Sequence, residues 1–215
     1  ATSGKSHVRS VAENTGLLKH KMYKVKLPFT SIPPSVIKKY ATDNPGNINL
    51  SEIEYLPLIP NPGKIICVGL NYSEHVKETN RTVEENPVIF HRFPESQTAH
   101  KQEIIRPIVS QSLDYEGEMA VIMGEGGKHI KPEDALKHII GFSCYNESTI
   151  REWQKHTRQF GMGKNFEKTG SFGPHLVLAE DIKDYKQLTI ETRLNGEVMQ
   201  NAKLSQLIFD IPILI

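Results

Sequence analysis

Short apolar runs bounded by polar, proline or glycine residues recur along the chain and predict a strand-rich fold. Residues 64–70 read Lys-Ile-Ile-Cys-Val-Gly-Leu and predict a buried strand, and residues 86–90 and 139–145 predict two more. Residues 188–200 predict a β-hairpin, because Asn195-Gly196 supplies a type I′ turn between two strand-like segments. The pattern therefore predicts an α+β chain that is mostly β.

Helix signals are confined to short segments. Residues 31–35 form a Pro-Pro turn that can start a helix through Tyr40, and residues 73–79 begin near a serine that can cap a helix. Residues 132–138 are opened by Lys-Pro-Glu-Asp, and residues 147–155 follow a predicted strand. Residues 94–102 predict a polar loop. Each predicted helix is therefore an addition to the strands rather than the main framework.

An acidic segment precedes one apolar strand. Residues 113–123 read Leu-Asp-Tyr-Glu-Gly-Glu-Met-Ala-Val-Ile-Met, and a strand would place Asp114, Glu116 and Glu118 on one face. Three neighbouring carboxylates repel one another, and a hard divalent cation with oxygen ligands would relieve that repulsion. The alternative is a solvated strand face. The segment thus predicts either a metal site, with Glu116 and Glu118 as the better ligands, or an ordinary polar surface.

Bulk composition excludes several classes of function. The chain has 215 residues with 38% hydrophobic and 24% charged residues, which is typical of a globular protein. The net charge of +1 gives no general attraction to nucleic acid or to an anionic membrane, and no apolar run is long enough to span a bilayer. Cys67 and Cys144 predict two buried free thiols in a reducing, cytoplasmic setting, with a disulfide as the alternative. A weakly basic start leaves a mitochondrial location open.

The organisation of the chain changes near residue 60. A proline-rich stretch ends there, so residues 1–60 predict a small cap or lid and residues 61–215 predict the main domain. The last residues, 207–215, are strongly apolar, whereas domain ends are usually polar. We therefore expect either that the domain continues beyond them or that another chain covers them.

Two further groups of side chains could carry chemistry. His75 and Glu78 are three residues apart, so on a helix the carboxylate can orient the imidazole as a general base. Glu147, Arg151 and Gln154 would share one face of a helix and could bind a metal and an acidic substrate. The alternatives are a surface histidine and an exposed helix with an internal ion pair.

A third group lies in residues 161–173, which predict a glycine-containing loop around Lys164. This segment is not a P-loop, because Arg158 and Asn165 occupy positions where that motif requires Gly and Ser or Thr. A lysine flanked by glycines can still approach an oxyanion closely.

Taken in order, these segments closely resemble the fumarylacetoacetate hydrolase family over residues 61–215. The matching motifs are Gly69-Leu-Asn-Tyr with His75-x-x-Glu78, Asp114-Tyr-Glu-x-Glu118, Asn146-Glu with Arg151 and Gln154, Gly163-Lys-Asn-Phe with Gly173-Pro174, and the hairpin Thr192 to Gln200. Phe90-His-Arg92 resembles the branch that has arginine where many relatives have lysine.

This resemblance implies a mixed β-sandwich roll with a small N-terminal region, assembled as a homodimer. It implies one Mg²⁺, with Mn²⁺ or Ca²⁺ as alternatives. The implied roles are metal ligation by Glu116, Glu118 and Glu147, water activation by His75 and Glu78, oxyanion stabilisation by Lys164, and substrate binding by Arg92, Arg151 and Gln154. Two departures stand out. Glu147 replaces a usual Asp, and the family's closing glycine-rich segment is absent, as though the main domain lacked its C-terminal part.

The resemblance implies metal-dependent hydrolysis of a carbon–carbon bond in a diketo acid, such as an acylpyruvate, through an enolate. One alternative is an oxaloacetate decarboxylase or tautomerase that uses the same metal site and needs no attacking water. The other alternative is an inactive family member or fragment that acts as a subunit. A small 2-oxo or diketo acid is the expected partner, and neither nucleic acid nor membrane is expected.

Overall fold

A computed structural model describes residues 33–44, 46, 49–73 and 85–215 of the chain. Within those ranges no helix has both the length and the apolarity needed to cross a membrane. Residues 74–79 of the predicted helix 73–79, with His75 and Glu78, and most of the predicted 1–60 region lie outside the described residues.

Strands dominate the described part of the chain. They are β1 (Ile65–Gly69), β2 (Val88–Arg92), β3 (Gln97–Ala99), β4 (Leu113–Asp114), β5 (Gly117–Met123), β6 (Ile139–Glu147), β7 (Thr149–Ile150), β8 (Gly170–Phe172), β9 (Val177–Leu178), β10 (Thr189–Leu194) and β11 (Glu197–Lys203). The α-helices in the same residues are α1 (Pro34–Asp43), α2 (Arg151–Gln154), α3 (Gly161–Lys164) and α4 (Ile211–Leu214). The α+β, mostly β class is therefore confirmed.

One mixed sheet organises the fold. Its strands lie in the order β3-β8-β6-β5, with β9 also paired to β6. The β3–β8 pair is parallel, whereas β5, β8 and β9 are antiparallel to β6. Three further antiparallel pairs, β1–β2, β4–β7 and β10–β11, form separate two-stranded sheets. The sheet is thus centred on β6, which explains why residues 139–145 form a nearly continuous apolar run.

Two hydrophobic clusters cover the central sheet. Phe142 and Tyr145 are three residues apart on β6, so their side chains point to opposite faces. Tyr145 packs with Leu58, Ile122 and Phe172, whereas Phe142 packs with the cluster of Ile139, Tyr185 and Ile211. Hydrophobic clusters therefore pack on both faces of β6, and Glu147 lies at the C-terminal end of this packed strand.

Asp210 fixes the segment that leads into α4. Its carboxylate accepts hydrogen bonds from the Tyr185 hydroxyl and the backbone N–H of Ile211, and the Lys186 ammonium lies 2.6 Å from it. Burial acts to raise the pKa of Asp210, but these hydrogen bonds outweigh it and hold the pKa below the ordinary value.

The predicted hairpin is confirmed. β10 and β11 pair around Asn195 and Gly196, whose φ values of 52° and 88° are those of a type I′ turn. The hairpin packs against β5 at Gly117, where a Cβ atom would collide with the Thr192 hydroxyl. The Gln200 side chain also accepts a hydrogen bond of 2.8 Å from the Gly117 N–H. Glycine is favoured at position 117 because the Thr192 side chain occupies the space that a Cβ atom would need.

Three predicted elements differ in the structure. Residues 113–123 are not one strand, because β4 pairs with β7 and β5 pairs with β6, which leaves residues 115–116 as a bend between them. Residues 147–155 are not one helix, since the β-branched residues Thr149 and Ile150 extend the strand and only residues 151–154 are helical. Residues 94–102 contain the buried strand β3 rather than a purely polar loop.

Both cysteines are free thiols, as predicted. Cys144 is exposed rather than buried, although its neighbours Ser143 and Tyr145 on β6 are buried. Cys67 is half-buried and lies beside Glu147.

Candidate functional site

Three carboxylates converge where β5 meets the end of β6. Glu116 lies in the bend before β5, Glu118 lies on β5 and Glu147 is the last residue of β6. The backbone N–H of Glu147 donates a 2.7 Å hydrogen bond to the Glu116 carbonyl, which draws the two segments together. One carboxylate oxygen from each glutamate lies within 4.8 Å of the others. The structure therefore brings together the three glutamates that the sequence predicted as metal ligands.

Lys164 approaches this cluster from α3. Its side chain is buried, with the residue only 1% exposed, and its ammonium lies 2.7 Å from Glu116 Oε2 and 3.2 Å from Glu147 Oε2. The ammonium also lies 5.0 Å from the centre of the Phe90 ring. The predicted loop around Lys164 contains this short helix, which directs the lysine inward. Its positive charge offsets part of the repulsion among the carboxylates.

Arg151 links the cluster to a fourth acid. Its Nε and one terminal nitrogen lie 2.7 Å from Asp114 Oδ2, and its other terminal nitrogen lies 2.6 Å from Glu116 Oε1. That nitrogen also donates to the Gln154 side-chain oxygen at 3.1 Å. Arg151 and Gln154 are thus neighbours as predicted, although Glu147 lies at the end of a strand and not on the same helical face.

Crowding shifts the protonation of the glutamates. Burial, followed by the nearby charges of Glu147 and Glu116, raises the pKa of Glu118 to about 8. Burial also raises the pKa of Glu147, although Lys164 opposes that effect. Burial, followed by the charge of Glu118, raises the pKa of the Tyr72 phenol. An additional positive charge at this position would relieve these unfavourable interactions.

The donor set fits a hard divalent cation. All three convergent groups are carboxylates, which Mg²⁺, Mn²⁺ and Ca²⁺ prefer over nitrogen or sulfur donors. Glu147 is only 6% exposed, and its Oε1 has no hydrogen-bond partner among the described residues. A buried carboxylate oxygen without a hydrogen bond is unfavourable unless a cation or a water molecule contacts it.

Arg92 lies beside the Glu147 member of the cluster. The Arg92 side chain is buried beneath Glu147, with its guanidinium directed at protein acceptors. The substrate-binding role of Arg92 stays a prediction. His75 and Glu78 lie outside the described residues, so their predicted role also stays a prediction.

Two contacts of the cluster have no counterpart in the sequence reasoning. The Thr149 hydroxyl donates to Glu116 Oε1 at 2.8 Å, and the Tyr72 ring lies close enough to Glu118 to feel its charge. Tyr72 belongs to the Gly-Leu-Asn-Tyr motif, so that motif was the available signal for it. Thr149 gave no such signal, because it becomes a neighbour of Glu116 only through the β4–β7 pairing.

Comparison with known proteins identifies the fold around this cluster. The family model described as fumarylacetoacetate (FAA) hydrolase C-terminal matches residues 64–215. The chain belongs to the fumarylacetoacetate hydrolase family. All three convergent glutamates, together with Arg151, Gln154 and Lys164, lie within the part that matches the family.

Relatives in this family include enzymes and solved structures. Human "oxaloacetate tautomerase FAHD2A, mitochondrial" is 38% identical over 161 residues, which are 74% of this chain and 51% of that protein. Bacillus subtilis "oxaloacetate tautomerase YisK" is 40% identical over 172 residues, which are 78% of this chain and 57% of that protein. The solved structure of "fumarylacetoacetate hydrolase (EaFAH)" from psychrophilic Exiguobacterium antarcticum has a TM-score of 0.68 at 32% identity, and the match covers 81% of this chain and 65% of that one. The chain thus spans about half the length of the curated relatives it matches.

Proposed function

We propose that this protein is a divalent-cation-dependent enzyme that interconverts the keto and enol forms of a 2-oxo dicarboxylic acid, with oxaloacetate as the substrate. The observation that carries this function is the convergence of Glu116, Glu118 and Glu147 to within 4.8 Å, with Lys164 beside them. The human and Bacillus relatives, both called oxaloacetate tautomerases, support the choice of substrate.

The three glutamates are the proposed ligands of the cation, which when bound supplies a Lewis acid for the oxygens of the 2-oxo acid. Arg151 and Gln154 are assigned to the distal carboxylate of the substrate, because a guanidinium and an amide can both donate to it. Lys164 donates to the oxygen that gains negative charge as the enol forms. His75, oriented by Glu78, is assigned to the proton that leaves and rejoins carbon.

Keto–enol exchange needs no attacking water, which distinguishes it from the second candidate function. That second function is hydrolysis of a carbon–carbon bond in a diketo acid of the acylpyruvate type. The name of the solved relative and the His75-x-x-Glu78 motif favour it, because a histidine–carboxylate pair can activate water. Decarboxylation of oxaloacetate would use the same residues, since it also passes through an enol.

The finer properties belong to the same proposal. Mg²⁺ is the proposed cation, with Mn²⁺ or Ca²⁺ as alternatives, because the longer Glu147 changes the ligand geometry that an Asp would give. A homodimer, a cytoplasmic location with a mitochondrial alternative, and the division into residues 1–60 and 61–215 are carried over from the sequence. The family match, which begins at residue 64, supports that division.

The test compares substrates and cations directly. Purified protein is treated with EDTA and then assayed with Mg²⁺, Mn²⁺ or Ca²⁺, by the ultraviolet absorbance of enol-oxaloacetate and by product analysis with acetylpyruvate. Tautomerisation that requires the cation and is lost in Glu116→Gln supports the function, whereas Glu197→Gln, on the exposed hairpin, serves as the matched control and keeps activity.

Each alternative has its own outcome in that experiment. Cleavage of acetylpyruvate without tautomerisation would assign the hydrolase function instead. Cation binding by the wild-type protein without turnover of either compound would support an inactive family member. A wild-type protein that binds no divalent cation would contradict the proposed site itself.

A further inference from the structure

Arg92 is a fully buried arginine to which the proposed chemistry assigns no role. It is the last residue of β2 and is 2% exposed, with no exposed side-chain surface. Three of its nitrogens donate to neutral acceptors: Nε to the Ser96 hydroxyl at 3.3 Å, one terminal nitrogen to the Ser148 carbonyl at 3.2 Å, and the other to the Thr169 hydroxyl at 2.8 Å. These acceptors come from three separate segments of the chain.

Two of those segments, at Ser148 and Thr169, adjoin Glu147. Ser148 follows Glu147 directly, so the hydrogen bond to its carbonyl fixes the backbone at the end of β6. One terminal nitrogen of Arg92 lies 3.8 Å from Glu147 Oε1, whereas the Lys164 ammonium lies 3.2 Å from Oε2. The two oxygens of this carboxylate therefore face two different basic side chains. With a positive side chain next to each oxygen, the plane of the carboxylate has little freedom to rotate.

A direct contact between Arg92 and substrate would require its nitrogens to turn away from these acceptors. Such a movement would leave the Ser148 carbonyl and the Thr169 hydroxyl, both buried, without their donor. Breaking hydrogen bonds of a buried charged group is costly. The Tyr145 ring, 5.8 Å from the guanidinium carbon, further confines it. The geometry favours a fixed guanidinium whose effect is transmitted through Glu147.

We propose that Arg92 is a positioning residue that holds Glu147 in the orientation required for cation binding. This inference rests on the cation site of the proposed function and adds a role for a residue outside the ligand set. The planar guanidinium is essential to it, because an ammonium group cannot reach acceptors in three segments at once. Groups that orient metal ligands commonly change metal affinity by about 10- to 100-fold when they are removed.

The experiment measures cation affinity apart from turnover. Mn²⁺ binding to the EDTA-treated full chain is followed by titration calorimetry for the wild type, Arg92→Met and Arg92→Lys. Both variants are expected to weaken binding by roughly tenfold or more. Thr169→Val removes one acceptor of the guanidinium and keeps every charge, so it is expected to give a smaller loss in the same direction. Arg193→Met, the same change at an exposed arginine, is the control and keeps wild-type affinity.

A second measurement separates positioning from substrate contact. At saturating Mn²⁺, Arg92→Lys is expected to keep a KM for oxaloacetate within about twofold of wild type if Arg92 acts only through Glu147. Unchanged cation affinity with a raised KM would overturn the inference and assign Arg92 to the substrate. Full Mn²⁺ affinity in Arg92→Lys would also overturn it, since charge alone would then suffice. If Arg92→Met does not fold, Arg92→Lys and Thr169→Val still decide the question. A wild-type chain that binds no Mn²⁺ would instead contradict the proposed function.

Discussion

Replacing Glu118 by glutamine should stabilise the cation-free protein, and more so as the pH rises. Burial, followed by the charges of Glu147 and Glu116, raises the pKa of Glu118 from 4.5 to about 8. The folded state therefore holds its proton more tightly than the unfolded state does. By linkage, the wild-type protein loses stability as the pH rises from the unfolded pKa to the folded pKa, and it stays at that lower level above. Glutamine does not ionise, so the variant avoids this loss.

The size of the effect follows from the two pKa values. About 1.4 kcal/mol per pH unit between 4.5 and about 8 gives at most about 5 kcal/mol for ionising Glu118 in the folded protein. Because part of that cost is already present at about pH 5, the difference between Glu118→Gln and wild type should grow by at most about 4 kcal/mol between about pH 5 and about pH 9. This is a large fraction of the stability of a typical domain.

Urea unfolding of EDTA-treated protein at both pH values measures this difference. Glu197→Gln, at an exposed position of β11, is the control and should shift the curve equally at both. Added Mg²⁺ or Mn²⁺ should stabilise the wild type at the higher pH, because the cation replaces the proton, and should stabilise Glu118→Gln much less. A stability gain for Glu118→Gln that is the same at both pH values would refute the electrostatic reasoning.

Four other predictions follow from the same structure. Asp114→Asn should raise the KM for oxaloacetate by roughly tenfold with little change in cation affinity, because Arg151 loses the charged partner that orients it. An unchanged KM in steady-state kinetics at saturating Mg²⁺ would show that this pairing does not matter. Gly117→Ala should destabilise the protein by about 1–3 kcal/mol in urea unfolding, because the added Cβ meets the Thr192 hydroxyl. Adding Thr192→Ala should recover part of that loss, whereas purely additive effects of the two substitutions would show that the two groups do not collide. Asp210→Asn should lower the thermal midpoint near neutral pH but not in strong acid. The pKa of Asp210 is held below its ordinary 3.8, so the stability that its carboxylate contributes is lost only as the pH falls through that lowered value. An equal loss of thermal midpoint at both pH values would contradict this assignment. Oxalate, a dianion that cannot enolise, should bind only after Mg²⁺, and calorimetric binding without the cation would contradict the electrostatics described below.

The sequence predicted most strands because their signals are local. Residues 64–70 and 139–145 are apolar runs of strand length, and both contain or lie within an observed strand. The Asn195-Gly196 turn specifies its own φ angles, so the hairpin needed no knowledge of the rest of the fold. The helix after the Pro-Pro turn was also found, although it runs to Asp43, three residues beyond the predicted end. Local chemistry was sufficient in each of these cases.

Elements shaped by long-range pairing were predicted less well. Thr149 and Ile150 fall within a predicted helix, but β4, some 35 residues earlier in the chain, pairs with them and draws them into a strand. The same pairing interrupts the acidic strand at residues 115–116. No pattern within a short window contains this information, because it depends on which segment lies alongside. The interruption nevertheless helps to bring the Glu116 and Glu147 carboxylates to one place.

The identity of the three convergent glutamates could be predicted, but the orientation of the basic side chains around them could not. Acidic spacing and the ordered family motifs pointed to Glu116, Glu118 and Glu147 before any geometry was known. Arg92 and Lys164, by contrast, reach Glu147 from opposite sides and from distant segments. The sequence can place a basic side chain in a motif, but only the packing of the fold decides whether that side chain faces a metal ligand or the substrate.

The charges of the site impose an order on binding. Among the described residues, four carboxylates meet three cationic side chains: Asp114, Glu116, Glu118 and Glu147 against Arg92, Arg151 and Lys164. Four negative and three positive formal charges leave −1, or zero where Glu118 keeps its proton, so a dianionic substrate gains no net attraction. A bound divalent cation changes the net charge of the site from −1 to +1, and a bound dianion then returns it to −1. Because long-range attraction follows net charge at low ionic strength, the cation must bind first for oxaloacetate to be attracted. The positive charges of Lys164 and Arg151 therefore weaken cation binding somewhat, but they allow the loaded site to hold an anion.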